Sequence, residues 1–176
     1  FGGPYSNMRA LLALRACAHA LAIPADRCIC TGDAVAYCRE PEETIGLLRD
    51  WGCQVIAGTC EEPLAAGAAD CGCGFASGSE CDRLAKGWYA FADQRVSRAN
   101  RAWMATLPKT LTFQEGGVSF RVVHGGVDVV NRFVFASDHD LIAAELARAE
   151  ADIVVAGHCG LPFIHGWARR SGSTRA

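Results

Sequence analysis

The sequence predicts an α/β fold in which layered β-sheets are flanked by helices. Segments with the composition of helices alternate with short apolar segments along most of the chain. The apolar segments lack the strict alternation of apolar and polar residues that marks a half-exposed strand. Continuous apolar runs are typical of strands covered on both faces, so a sheet between helices is the expected architecture.

Helix and strand signals are clear in the first third of the chain. Asn7 is a candidate N-cap for a helix over about 8–21. A second helix begins at Pro41, which suits a first turn, and ends at Gly52. Two buried strands are predicted at 27–31 and 54–57.

The rest of the chain continues this alternation after a small-residue segment at 62–80, predicted to be loop or weak helix. Pro and turn residues set the expected boundaries. The predicted elements are a helical pair over 81–107 broken near 93–97, a hairpin of 110–113 and 118–123, a helix capped by Ser137 or Asp138 and running to about Ala149, and a strand at 152–156.

Composition favours a single domain and argues against nucleic acid and membrane as partners. The chain has 176 residues, 51% of them hydrophobic, which suffices for one buried core. A formal net charge of -2 gives no basic surface for nucleic acid. No apolar run is long enough to cross a membrane, and no signal peptide is recognisable although the chain opens on Phe1. We therefore expect a cytoplasmic protein.

Ten cysteines are present, which is a high count. Cys28 and Cys30 fall inside a predicted apolar strand, where a free thiol behaves as a small hydrophobe. Most cysteines are therefore interpreted as structural thiols in a reducing compartment. The alternative is a separate metal or redox site formed by Cys71, Cys73 and Cys81.

Four predicted strands end in Gly next to a polar residue. In open α/β sheets, ligands bind outside the carboxyl ends of strands. Asp33, His124 and His158 follow three of these strands and are expected to converge there. One carboxylate and two imidazoles form a reasonable ligand set for a divalent transition metal. Each of these residues alone is more often structural.

Five short motifs carry a family resemblance. They are Gly3-Pro4-Tyr5-Ser6-Asn7-Met8, Gly32-Asp33-Ala34-Val35-Ala36-Tyr37, Gly58-Thr59-Cys60-Glu61, Val123-His124-Gly125 and Gly157-His158-Cys159-Gly160. In this order they resemble the motifs of the calcineurin-like metallophosphoesterases, in particular the small bacterial and archaeal phosphodiesterases. The resemblance runs from Gly2 to about Phe163.

The resemblance implies phosphoester hydrolysis at a divalent metal site, which in that family holds two ions. Asp33 matches the bridging carboxylate, and His124 and His158 match ligands of the second ion. Gly3 and Tyr5 stand where the family has the Asp and His ligands of the first ion. One ion of Mn, Zn, Fe or Ni is therefore expected rather than two.

Further site roles follow from the same alignment. Cys60 and Glu61 occupy the catalytic positions of the third motif, where Cys60 replaces a histidine. Cys159 is a candidate additional metal ligand, because a thiolate suits Zn or Fe. The remaining motif positions that face the substrate in the family are Tyr5, Asn7 and Thr59.

The domain expected from the resemblance covers 1–163 and contains a mostly helical insertion over about 62–108. Residues 164–176 read as an irregular tail. The family has a strand before the position of Phe1 and more strands after Phe163, so the resemblance implies a domain truncated at both ends.

Three functions are consistent with the sequence. The first is a metal-dependent phosphoesterase with an altered, mononuclear site that hydrolyses a phosphomonoester or phosphodiester. The second is a catalytically weak or inactive relative that binds a phosphorylated ligand or a protein partner. The third is a cysteine-dependent metal or redox protein. The expected partners are a small phosphorylated substrate and further copies of the chain, with neither nucleic acid nor membrane.

Overall fold

The computed structural model describes residues 1–72 and 74–166, which form six α-helices and five β-strands. The α/β class predicted from the sequence is confirmed. The helices are α1 (Met8–Ala20), α2 (Pro41–Trp51), α3 (Glu61–Ala66), α4 (Glu80–Asp93), α5 (Arg98–Met104) and α6 (His139–Ala149). The strands are β1 (Ile29–Cys30), β2 (Gln54–Val55), β3 (Thr110–Glu115), β4 (Val118–Val123) and β5 (Ile153–Val155).

The first sheet is a parallel pair of β1 and β2 in which Ile29 is opposite Gln54. The start of the chain extends this pair. The Phe1 ammonium group donates to the Ile29 carbonyl at 2.8 Å, and the Thr31 amide donates to the Phe1 carbonyl at 3.0 Å. Because β1 and β2 run in the same direction, the loops that follow them leave at one edge.

The second sheet has the order β3-β4-β5. Strands β3 and β4 form an antiparallel hairpin, whereas β4 and β5 are parallel, with Phe120 opposite Ile153. The chain after β5 stays attached to the chain after β4, since the Gly157 amide donates to the His124 carbonyl at 2.7 Å. A side chain on Gly157 would collide with Thr31, so this edge packs directly against the loop after β1.

The helix boundaries follow local capping chemistry. The Asn7 side chain accepts from the Ala10 amide at 3.0 Å at the start of α1. Helix α2 has Pro41 in its first turn and ends at Gly52, whose φ of 74° is left-handed. Ser97 caps α5 and separates it from α4, as the predicted break requires. Within the segment predicted as loop or weak helix, α3 forms a short helix.

Two groups of buried side chains hold these elements together. One lies between α2, α3, α4 and α5 and includes Ile45, Leu64 and Met104. The other lies against the parallel strand pair and includes Leu11 and Leu48. The loops after β1 and β2 are anchored on both groups, which fixes the edge where the predicted ligands lie.

The structure describes only the first residues of the predicted tail. Residues 164–166 contain no helix or strand, and 167–176 lie outside the described residues. The boundaries proposed for the domain at 1–163 and for its insertion at 62–108 stay predictions. Within the described part of the chain, no helix is both long and apolar enough to span a membrane.

Truncation of a core leucine should weaken the fold measurably. Leu48 is 0% exposed, so Leu48→Ala leaves a cavity and should reduce the free energy of unfolding by about 2–5 kcal/mol. Leu84 on α4 is 62% exposed, and Leu84→Ala should change the free energy of unfolding by less than about 0.5 kcal/mol. Urea denaturation of both variants measures this, and equal effects would contradict the assignment of the core.

Candidate metal centre

Asp33, His124 and His158 meet at the shared edge of the two sheets. Asp33 follows β1, His124 follows β4 and His158 follows β5. One ligand atom from each residue lies within 4.8 Å of the others. The convergence predicted from the strand ends is therefore present in the structure.

The spacing of these atoms matches a coordination shell. Asp33 Oδ2 is 3.2 Å from His124 Nε2, and His124 Nε2 is 3.1 Å from His158 Nδ1. Bonds of about 2.0–2.2 Å from zinc to nitrogen and oxygen place neighbouring ligand atoms roughly 3 Å apart. These two separations are compatible with a shared metal ion, and the three ligand atoms lie within 4.8 Å of one another.

The backbone fixes the tautomer of His124. Its Nδ1 atom is 2.6 Å from the Thr31 carbonyl oxygen, which can only accept a hydrogen bond. Nδ1 therefore carries a proton, and in the neutral imidazole Nε2 offers its lone pair toward Asp33. A histidine that donates one ring N–H to a carbonyl while its other nitrogen binds metal is the usual arrangement in metalloproteins.

The Nε2 atom of His124 lies next to a negative charge. A neutral His124 directs its Nε2 lone pair at the Asp33 carboxylate, which is unfavourable unless a cation or a proton lies between them. A divalent transition metal satisfies the lone pair and suits two imidazoles with one carboxylate. The residues present fit such an ion.

The centre perturbs the pKa values of its own members. Burial opposes ionisation of Asp33, but the hydrogen bond and charge of His124 outweigh it and lower the pKa of this carboxyl. Burial also disfavours protonated His124, yet the contact with Asp33 raises its pKa overall. Burial, followed by the charge of His124, lowers the pKa of His158. His158 therefore presents the neutral ring that binds metals.

Thr59 and the Cys60 amide orient the Asp33 carboxylate. Thr59 Oγ1 donates to Asp33 Oδ1 at 3.1 Å, and the Cys60 amide donates to the same oxygen at 3.3 Å. Thr59, predicted to bind substrate, therefore contacts a candidate ligand directly.

The Cys60 side chain belongs to the hydrophobic core rather than to the surface, with an exposure of 2%. Burial, and then the charges of Asp33 and Glu61, raise the pKa of its thiol well above the usual range. The thiol is therefore protonated at neutral pH. A catalytic role for Cys60 stays a prediction.

Glu61 acts on the backbone around the centre. Its carboxylate is fully buried and accepts from the amides of Asp33 at 2.9 Å, Ala34 at 2.8 Å and Gly58 at 2.7 Å. Burial, and then the charge of Asp33, raise the pKa of Glu61 to about 7, against the opposing effect of these amides. Through these contacts Glu61 joins and positions the loops after β1 and β2, and the catalytic role predicted for it stays a prediction.

The other predicted site residues lie around this group with different contacts. The Tyr5 amide donates to the Asp33 carbonyl at 3.2 Å, so Tyr5 adjoins the centre. The Asn7 side chain is used to cap α1. Cys159 Sγ donates to the Leu161 carbonyl at 3.4 Å, and Cys159 is outside the ligand group found among the described residues. Its role as a metal ligand stays a prediction.

Left-handed backbone conformations are concentrated around the candidate metal centre. Seven of the non-glycine residues described have positive φ, and five of them lie at or near the centre: Tyr5 (51°), Ser6 (58°), Asp33 (54°), Tyr37 (39°) and His158 (63°). The other two, Ala22 and Glu150, follow helices α1 and α6. Such conformations cost on the order of 1–3 kcal/mol each and persist where the surrounding structure enforces them, most often at functional sites. No sequence pattern signalled this strain, because none of these positions is glycine.

The additional metal or redox site considered from the sequence at Cys71, Cys73 and Cys81 stays a prediction. Cys71 is disulfide-bonded, so it offers no thiolate ligand in this structure. Cys81 is exposed with a free thiol. Cys73 lies outside the described residues.

Comparison with known proteins shows the fold. No family model and no curated protein matches the chain. A metallophosphoesterase from Sphaerobacter thermophilus superposes with a TM-score of 0.66 over 90% of this chain and 58% of its own, at 18% identity. The chain has a metallophosphoesterase-type fold. A hypothetical protein from Pyrococcus horikoshii OT3 superposes with a TM-score of 0.73 over 92% of this chain and 69% of its own, at 16% identity.

The metallophosphoesterase-type fold confirms the architecture implied by the five motifs. The chain spans less than two thirds of the Sphaerobacter thermophilus structure. The comparison therefore establishes the fold and not a reaction.

Removal of the Glu61 carboxylate should destabilise the whole site. Glu61→Ala leaves three buried amides without their acceptor, so the free energy of unfolding should fall by about 2–5 kcal/mol. The neighbouring Glu62 pairs with Lys109, whose side chain is 79% exposed, and Glu62→Ala should cost at most about 1 kcal/mol. Urea denaturation distinguishes the two, and a Glu61→Ala protein as stable as Glu62→Ala would refute the positioning role.

A methyl group at Gly58 should disturb the centre. A Cβ there would lie 2.5 Å from Asp33 Oδ1 and 2.8 Å from His124 Cε1, so Gly58→Ala should lower zinc affinity by at least about tenfold. At Gly46 on α2 a Cβ meets nothing within 4 Å, and Gly46→Ala should leave zinc affinity unchanged. Titration with a competing chelator measures both affinities. Unchanged affinity in Gly58→Ala would mean that the ion binds elsewhere.

Proposed function

We propose that the protein is a metal-dependent phosphoesterase that holds one divalent transition metal ion, Mn, Zn, Fe or Ni, between Asp33, His124 and His158. The observation that carries this proposal is the His124 imidazole, which the Thr31 carbonyl holds with Nε2 directed at Asp33 Oδ2 and His158 Nδ1. The likeness in fold to a solved metallophosphoesterase supports phosphoester hydrolysis as the reaction class.

A single ion is proposed because the positions for a second one lack ligands. Gly3 offers no side chain, and a Cβ there would collide with the Asp33 carbonyl. Burial, followed by the negative charge of Asp33, raises the pKa of the Tyr5 phenol, which therefore stays protonated and is a poor ligand. The Thr59 hydroxyl is engaged by Asp33.

A divalent ion bound here would polarise a phosphoryl oxygen and lower the pKa of a water molecule. The chain's own residues keep its ligands in place. Thr59 orients Asp33, the Thr31 carbonyl orients His124, and Glu61 fixes the loops that carry Asp33 and Gly58. Tyr5, with its proton retained, is proposed to donate a hydrogen bond to the bound phosphoester.

Turnover is expected to be slow. Where the resemblance implies a histidine that protonates the leaving oxygen, this chain has Cys60, whose buried thiol is a weak donor with a raised pKa. We therefore propose a substrate with a good leaving group, such as a small activated phosphomonoester or phosphodiester. The cytoplasmic location and self-association expected from the sequence stay predictions.

A second candidate is an inactive relative that binds a phosphorylated ligand or a protein partner. The contacts of Asp33 favour it, because Thr59, the Cys60 amide and His124 already satisfy this carboxylate. With His124 protonated, the centre is electrostatically balanced without an ion. A cysteine-dependent function has less support, since Cys60 is buried and protonated.

Metal content and turnover test the main proposal. Wild-type protein loaded with Mn, Zn, Fe or Ni should hold one ion per chain and hydrolyse bis(p-nitrophenyl) phosphate. Asp33→Asn should lower both metal affinity and kcat/KM by at least about 100-fold, because a ligand charge is lost. Asp50 has a side chain that is 70% exposed, and Asp50→Asn should change neither quantity.

The outcomes separate the candidates. Stoichiometric metal without hydrolysis of any phosphomonoester or phosphodiester would favour the inactive relative. Two ions per chain, or turnover unaffected in Asp33→Asn, would contradict the mononuclear centre. Protein that remains free of metal with all four ions would overturn the proposal.

A further inference from the structure

A row of aromatic side chains leads from the protein core to the surface. Trp88 and Tyr89 are buried and lie edge to face with ring centroids 5.8 Å apart. Tyr37 packs edge to face on Trp88 at 5.7 Å and contacts Tyr5 at 5.3 Å. Tyr37 itself is 60% exposed. The row therefore ends in a ring that is supported from below and open to solvent.

This exposed ring lies beside the metal centre. Tyr37 follows Asp33 by four residues on the same loop, and its partner Tyr5 is bonded through its amide to the Asp33 carbonyl at 3.2 Å. Burial, and then the proximity of the Cys60 and Asp33 side chains, raise the pKa of Tyr37. The Tyr37 ring is therefore linked through Tyr5 to the loop that carries Asp33.

The backbone holds the ring in place. The Cys38 amide donates to the Tyr5 carbonyl at 3.1 Å, and the Glu40 amide donates to the Ser6 carbonyl at 3.1 Å. The Ser6 hydroxyl accepts from the Ala36 amide at 3.2 Å. These bonds join the two segments on either side of Tyr37, so the ring is presented by a fixed loop.

The conformation of Tyr37 is costly for its residue type. Its φ of 39° is left-handed, a region that bulky side chains rarely occupy. Glycine would remove the strain. The strain, the support from below and the exposure of Tyr37 together indicate a binding surface.

We propose that the Tyr37 ring, backed by Tyr5 and Trp88, is a stacking platform for a planar aromatic group on the phosphoester held at Asp33, His124 and His158. This inference rests on the proposed function and names its substrate class, which is a phosphoester that carries a nucleobase or an aryl ring. Stacking on an aromatic side chain requires no charge, which agrees with a chain of net charge -2.

Binding of ring-bearing and ring-free ligands tests the platform without requiring turnover. Adenosine 5′-monophosphate and ribose 5-phosphate share the phosphate and the sugar, and only the first has a base. On zinc-loaded wild-type protein, isothermal titration should give about tenfold tighter binding of the nucleotide, as base stacking on an aromatic ring provides. Phenyl phosphate in a third titration shows whether a simple aryl ring suffices or a nucleobase is required.

Three variants test whether the Tyr37 ring causes the preference for the nucleotide. Tyr37→Ala should remove the preference for the nucleotide while leaving ribose 5-phosphate binding unchanged. Tyr37→Phe keeps the ring and should keep the preference. Phe113 is 37% exposed and stacks on Phe120 in the β3–β4 hairpin, so Phe113→Ala serves as the control for loss of an exposed aromatic side chain and should keep the preference.

Different outcomes would contradict the stacking platform and the phosphoesterase proposal. Equal affinity for adenosine 5′-monophosphate and ribose 5-phosphate on the wild-type protein would overturn the platform and leave the phosphoesterase proposal standing. Loss of the preference in Tyr37→Phe would overturn stacking in favour of a hydrogen bond from the phenol. Absence of binding by all three phosphate esters to zinc-loaded protein would overturn both proposals.

Discussion

The contact between Asp33 and His124 is the interaction on which the rest of the site depends. It joins the loop after β1 to the loop after β4 at 3.2 Å, with both side chains almost completely buried. A carboxylate and an imidazole in such a place need fixed partners because water cannot solvate them. Thr59 and Thr31 supply these partners, and His158 completes the group on the third loop.

Close approach of backbones makes this contact possible. Gly58 lies against Asp33 and His124 with no room for a side chain, and Gly32 is equally confined, with a φ of 91°. Where the chain has no glycine, it accepts left-handed backbone at Asp33 and His158. Glu61 helps enforce this geometry, since one buried carboxylate gathers amides from both loops of the parallel strand pair. The site is thus held by backbone contacts more than by its own ligands.

Much of the fold can be predicted from the sequence. The order of elements, the helix starts at Asn7 and Pro41 and the hairpin follow from local capping and turn chemistry, which few residues determine. The motifs also led to the metallophosphoesterase-type fold that the structural comparison shows. Strand lengths were overestimated at 27–31 and 54–57, because apolar runs do not reveal where pairing stops.

By itself the sequence determined the α/β class and three metal-ligand candidates, because strand ends and their Gly-polar pairs are local features. Only the tertiary structure decided what each neighbouring side chain does. It turned Glu61 onto backbone amides, buried the Cys60 thiol and left Tyr37 exposed above Trp88. Direction and burial of a side chain depend on contacts between residues distant in sequence, which no local pattern records.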